Sequence, residues 1–114
     1  MKVTFETETA FEKTLVVHLQ GTIDVIGAES LWGSLSHRVS KDLPFVLMDL
    51  SEVGIVTSAG IGTMIRLYTR LKGYGGGLAI FGCTDRIREI FSIVMLEEIL
   101  KVSKSLEEAR SKLQ

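Results

Sequence analysis

Apolar residues recur along this chain with two different periods, and the changes between them mark its elements. Residues 2–10 are polar and β-prone and predict an edge strand. Residues 14–20 set Leu15, Val17 and Leu19 against Val16, His18 and Gln20, a period of two, with Gly21 as the end of this second strand. A turn across residues 11–13 would join the two as a hairpin. From Asp24 to about Lys41 the period lengthens. Ala28, Leu31, Trp32, Leu35 and Val39 recur at three and four, the stripe of a helix broken by Leu43 and Pro44.

Residues 45–50, FVLMDL, are almost wholly apolar, as in a parallel strand covered on both faces. A second helix follows Ser58 with the stripe Ile61, Met64, Ile65, Tyr68 and Leu71, and the run GYGGG at 73–77 stops it. Residues 78–81 form another short apolar strand. Thr84 or Asp85 would cap a third helix carrying Ile87, Ile90, Phe91 and Val94. A weak strand is expected at 99–102, then a final helix capped by Ser103 or Ser105, where Ser105 to Glu108 resembles a capping box. Alternating strands and helices imply right-handed crossovers and a parallel core. The expected fold class is α/β: a mixed, mostly parallel open sheet of four or five strands with an antiparallel edge hairpin and about four helices.

Composition narrows the function. The 114 residues suffice for one domain, 1–114, with 46% hydrophobic and 24% charged residues. A net charge of −1 argues against a nucleic-acid footprint. The single cysteine, Cys83, allows no intrachain disulfide and fits a reducing compartment. No segment reaches transmembrane length and the N-terminus lacks a signal-peptide layout, so a cytoplasmic protein without membrane contact is expected.

Little in the sequence points to catalysis. Ser58 lies in GIVTSAG, which lacks the spacing of a nucleophile elbow, and neither His18 nor His37 has an evident partner. The glycines at 73–77 precede a strand, the wrong order for a phosphate loop. The scattered His, Cys and carboxylates show no metal-ligand spacing. Cys83 reads as a small buried residue; Trp32 and the apolar run from Phe91 to Leu96 read as packing. No enzyme, cofactor or metal is expected.

The stretch from Thr57 to Gly62, TSAGIG, is the exception. A cap explains one hydroxyl. Two glycines at a helix start are harder to explain, because each lowers helix propensity by about 1 kcal/mol relative to alanine. They either make room for packing or leave a bare backbone surface beside an exposed serine. The exposed side would present Ser58, Gly62, Thr63 and Arg66.

These residues resemble the STAS domain, in particular bacterial anti-sigma-factor antagonists. The likeness covers essentially the whole chain. It is most specific from Val46 to Val53 running into Thr57 to Gly62, with support from Gly21 to Asp24, Leu78 to Gly82 and Ser105 to Ala109. The resemblance implies a partner-switching role without enzymatic activity. An unphosphorylated antagonist binds an anti-sigma factor and so frees a sigma factor. The anti-sigma factor is commonly a serine kinase using ATP and Mg²⁺, and a separate serine phosphatase reverses the modification. The phosphoacceptor would be Ser58, and the partner-binding residues Ser58, Gly60, Gly62, Thr63 and Arg66. Many members carry aspartate where this chain has Thr57, so Thr57 stands as a supporting or competing hydroxyl. Asp24 matches an acidic position near the site and is given a supporting role. Asp49 would end the third strand and order a loop. The alternative is a constitutive STAS scaffold, or a small-ligand or lipid-binding module, in a stress-sensing or transport assembly. Oligomeric state is left open, a monomer included.

Overall fold

In the computed structural model, which describes residues 1–7 and 13–113, four strands form one sheet in the order β1-β2-β3-β4. β1 (Lys2–Thr7) runs antiparallel to β2 (Thr14–Ile23), and β3 (Phe45–Val56) and β4 (Gly77–Phe81) continue the sheet in parallel with β2. The hairpin pairing is as the pattern predicts; residues 8–10 of the expected first strand and most of its turn lie outside the described residues. α1 (Val25–Leu35), α2 (Ser58–Gly73), α3 (Asp85–Ile93) and α4 (Leu106–Leu113) complete the chain.

The period-two alternation sends side chains to two separate cores. Leu15, Val17 and Leu19 of β2, Val46 and Met48 of β3, and Leu78 and Ile80 of β4 pack with Leu31, Met64 and Phe91 of α1, α2 and α3. On the other face Val16, Leu47 and Ala79 pack beneath Ala109 of α4. Such double coverage explains why residues 45–50 and 78–81 show no polar alternation.

Several boundaries differ from the sequence pattern. β2 does not end at Gly21. Its pairing with β3 shifts on either side of Gly21, and that glycine takes φ +106°, a conformation other residues rarely adopt. α1 ends at Leu35 rather than near Lys41. Val39 is still buried, carried by a turn rather than a helix. β3 runs through Ser51, Glu52 and Gly54, which look like a loop, because β2 continues to pair with it as far as Val56. Asp49 therefore lies within the strand instead of ending it. On α2 the buried stripe is Gly60, Met64, Leu67 and Leu71; Leu67 replaces Ile65, which is 39% exposed.

There is no fifth strand among the described residues. Leu100 and Val102 reach the core, but residues 97–101 form turns; the segment meets β4 at an isolated bridge between Phe81 and Ser103 and through Ile80, whose N donates to Leu100 O at 3.2 Å and whose O accepts from Ser103 N at 2.8 Å. The glycine run ends α2 as expected: Gly75 has φ +81° and Gly76 N donates to Leu71 O at 2.8 Å. Thr84 caps α3, accepting from Ile87 N at 3.3 Å, and Ser105 accepts from Glu108 N at 3.2 Å before α4.

Candidate functional site

β2 and β3 are parallel and each runs directly into a helix, so α1 and α2 start side by side at the carboxyl ends of the strands. The two starts are built differently. Asp24 caps α1, its Oδ1 accepting from Gly27 N at 2.9 Å. Thr57 occupies the equivalent position on α2 with extended backbone, φ −92° and ψ 174°, but its hydroxyl turns away from the helix. It donates to Ile23 O at 3.0 Å, and Thr57 N donates to the same oxygen at 3.0 Å.

The sequence leads one to expect Ser58 or Thr57 to cap α2 with a hydroxyl; neither does. Among the described residues no side chain caps α2, and its first turn contains no acidic residue. Its leading N–H groups and the positive end of its dipole are therefore uncompensated by any side chain. Ser58, the first helical residue, is exposed, and among the described residues its hydroxyl takes no hydrogen bond. Asp24 is at the neighbouring helix start with its carboxylate engaged in capping α1.

The two glycines separate. Gly60 is buried, and a Cβ built there would lie 2.8 Å from both Ile23 O and Ile23 Cγ2 and 3.1 Å from Val56 Cγ1. It lets α2 approach the ends of β2 and β3, so its assignment to a partner surface is corrected: Gly60 faces the core. Gly62 is exposed with open space where a Cβ would be. Thr63 is half-buried and Arg66 exposed. Arg66 and Arg70 place their guanidinium carbons 3.9 Å and 4.6 Å from the centre of the Trp32 ring. Trp32 therefore joins α1 to α2 at the surface. A groove of about 300 Å³ runs between the helices, lined by Val25, Ala28, Trp32, Ala59, Thr63 and Arg66 among others. Beside it Val25 and Ile26 are 62% and 78% exposed.

A second polar cluster escaped the sequence reading. His18 does have a partner: its Nδ1 lies 2.7 Å from Asp49 Oδ2. Thr14 pairs with Phe45 in the sheet, and the same offset sets His18 opposite Asp49, so aligning the two strand starts would have found the pair. The pair sits on the α4 face, one layer beyond Val16 and Leu47. Burial pushes the Asp49 carboxyl up, but hydrogen bonds from the Ser51 backbone N–H, His18 and the Ser51 hydroxyl outweigh it and hold the group below its ordinary value. Cys83 is partly buried, and burial, opposed by nearby Arg88, pushes its thiol up to about 11. It is a neutral thiol near pH 7 and a poor nucleophile. No group of three or more His, Cys, Asp or Glu among the described residues could hold a metal ion, and no helix among them is long and apolar enough to cross a membrane.

The fold and site define a small α/β module whose distinctive surface is an uncapped helix start bearing a hydroxyl. The STAS domain family profile matches residues 5–109, and the chain belongs to that family. It is 29% identical over 94 residues to the anti-sigma-B factor antagonist of Bacillus subtilis, covering 81% of this chain and 84% of that one. Its fold matches an anti-sigma factor antagonist from Mycobacterium paratuberculosis with TM-score 0.84 at 20% identity, covering 98% of this chain and 92% of the other. The Bacillus protein SpoIIAA, solved unphosphorylated and phosphorylated, matches with TM-score 0.71 in each form. Identities are 16% and 18%, over 94% and 97% of this chain and 92% and 100% of that protein.

Proposed function

We propose that this chain is a cytoplasmic anti-sigma factor antagonist, a binding protein switched by phosphorylation of Ser58. Its partner is an anti-sigma factor with serine kinase activity, and a serine phosphatase resets it. The observation that carries this reading is the exposed Ser58 hydroxyl at the uncapped, positive end of α2. A phosphate adds about −1.5 to −2 charge at pH 7. Here it would meet the unoccupied N–H groups and the helix dipole, an interaction typically worth 0.3–1 kcal/mol, so the fold tolerates it. The partner does not. A dianion enclosed in a close interface must shed water, at several kcal/mol if unpaired, and each 1.4 kcal/mol is tenfold in affinity.

The geometry favours Ser58 over Thr57 as the acceptor. Thr57 is half-buried with its hydroxyl bonded to Ile23 O, whereas Ser58 points into solvent. The surface meeting the partner is Ser58, Gly62, Thr63 and Arg66; Gly60 supports it from below. Incubation with the cognate kinase and ATP–Mg²⁺, followed by mass spectrometry, is expected to find phosphate on Ser58; phosphate on Thr57 alone, or on neither, overturns the assignment. Ser58→Asp is expected to weaken partner binding at least tenfold with the melting temperature nearly unchanged.

A further inference from the structure

We propose that the groove between α1 and α2 receives an acidic anchor of the partner, a carboxylate side chain that pairs with Arg66 in the groove wall and with Arg70 at its edge beside Trp32, while a neighbouring apolar side chain fills the groove. The proposal rests on the partner-binding reading above and adds a second, chemically distinct contact to it. Arg66 lines the groove and packs on Trp32, and Arg70, outside that lining, packs on the same indole ring. This brings two positive charges within about 10 Å of each other, where salt screens their repulsion only in part. Among the described residues neither guanidinium has a carboxylate within 4.0 Å. The only hydrogen bond of Arg70 among the described residues is a long one, Nη1 to Ser36 O at 3.5 Å.

Stacking on Trp32 limits the freedom of both side chains while leaving donors at their edges, so little ordering remains for a carboxylate to impose. The apolar wall of Val25, Ala28 and Ala59 would exclude water around such a pair and strengthen it. The groove's own carboxylate, Glu29, lies on the same lining and opposes an acidic guest, which supplies a signed control.

The test measures the affinity of the kinase-type anti-sigma factor for the intact chain at low and high salt. Wild type, Arg66→Ala/Arg70→Ala, Glu29→Gln and Ser58→Asp are compared, each checked by its melting curve. The arginine pair variant is expected to bind at least tenfold more weakly with a flatter salt dependence. Glu29→Gln is expected to bind several-fold more tightly. Arg66→Glu should also lose binding, and replacing the partner's anchor carboxylate with arginine should restore it. The proposal is overturned if the arginine variant binds within twofold of wild type with an unchanged salt slope, even where Ser58→Asp releases the partner. If Ser58→Asp has no effect while the arginine variant fails, the groove contact stands and the phosphorylation switch falls. If the wild-type chain binds no anti-sigma factor, both fall.

Discussion

Gly60 and Gly62 sit two residues apart on α2, yet the structure predicts opposite responses to alanine. At either position a methyl group in place of hydrogen favours the helix by up to about 1 kcal/mol. At Gly62 nothing opposes this, because no atom beyond its chain neighbours and the local backbone of its own helix lies within 4 Å of the new Cβ. At Gly60 the new Cβ lies 2.8 Å from Ile23 O, a backbone atom that cannot swing aside, and 3.1 Å from Val56 Cγ1. Restoring ordinary contact requires α2 to move by roughly half an ångström from the sheet, and such overpacking costs about 1–3 kcal/mol. Ile23 O also accepts both Thr57 bonds, so the same shift stretches contacts worth about 1 kcal/mol each. The net for Gly60→Ala is a loss of roughly 1–2 kcal/mol. For a domain of this size that lowers the melting temperature by about 4–8 °C. Gly62→Ala should raise it by roughly 2–4 °C. Urea denaturation followed by circular dichroism, with thermal melts alongside, reads both. Gly60→Ala as stable as wild type, or Gly62→Ala less stable, would refute the division of the two glycines into core and surface.

Two further outcomes follow from the same atoms. Asp49 has a lowered carboxyl pKa when folded, so its contribution to stability is present above the ordinary carboxylate value and is lost as pH falls through the lowered one. Asp49→Asn should therefore cost about 1 kcal/mol at pH 7 and lose less stability than wild type between pH 5 and pH 2. Parallel urea titration curves for the two proteins across that range would contradict this. Thr57→Val removes the bond to Ile23 O and should cost about 1 kcal/mol while leaving the extent of phosphorylation by the kinase unchanged; loss of phosphate incorporation in a folded Thr57→Val protein would make Thr57 the acceptor.

What the sequence discloses here follows from how locally each feature is determined. The strands at 45–50 and 78–81 are legible because burial on both faces writes itself directly into composition. Asp24, Thr84 and Ser105 are legible as helix starts because a cap acts within three residues. The role of Thr57 is not. It looks like a cap by position, but its hydroxyl bonds a carbonyl 34 residues away. Only the juxtaposition of two strand ends creates that alternative acceptor. His18 and Asp49 were hidden for the same reason, being 31 residues apart and joined by sheet register. The extension of β3 to Val56 was obscured by Ser51, Glu52 and Gly54. They are polar or small because β3 has outrun β4 there, while β2 still pairs with its backbone. The Trp32 stripe position is apolar, as its spacing predicts, but nothing in that spacing reveals that its ring serves two arginines from another helix.

The arrangement around Ile23 explains why a modification at Ser58 would act on a partner rather than on the fold. One carbonyl oxygen accepts the amide and hydroxyl of Thr57, and Gly60 rests against the same atom. The start of α2 is thus tied to the end of β2 by groups that Ser58 does not supply. Arg66 in the groove wall, and Arg70 beside it on the Trp32 ring, lie farther along the same helix. Eight residues separate Ser58 from Arg66, about 12 Å of helix rise, which exceeds the Debye length of about 8 Å at physiological salt. A phosphate on Ser58 would therefore interact only weakly with Arg66. On the proposed reading, phosphorylation would then remove the contact at the helix start and spare the one in the groove. Release would come from losing part of the binding free energy, and the phosphorylated chain would keep a weak, salt-sensitive affinity for the same partner.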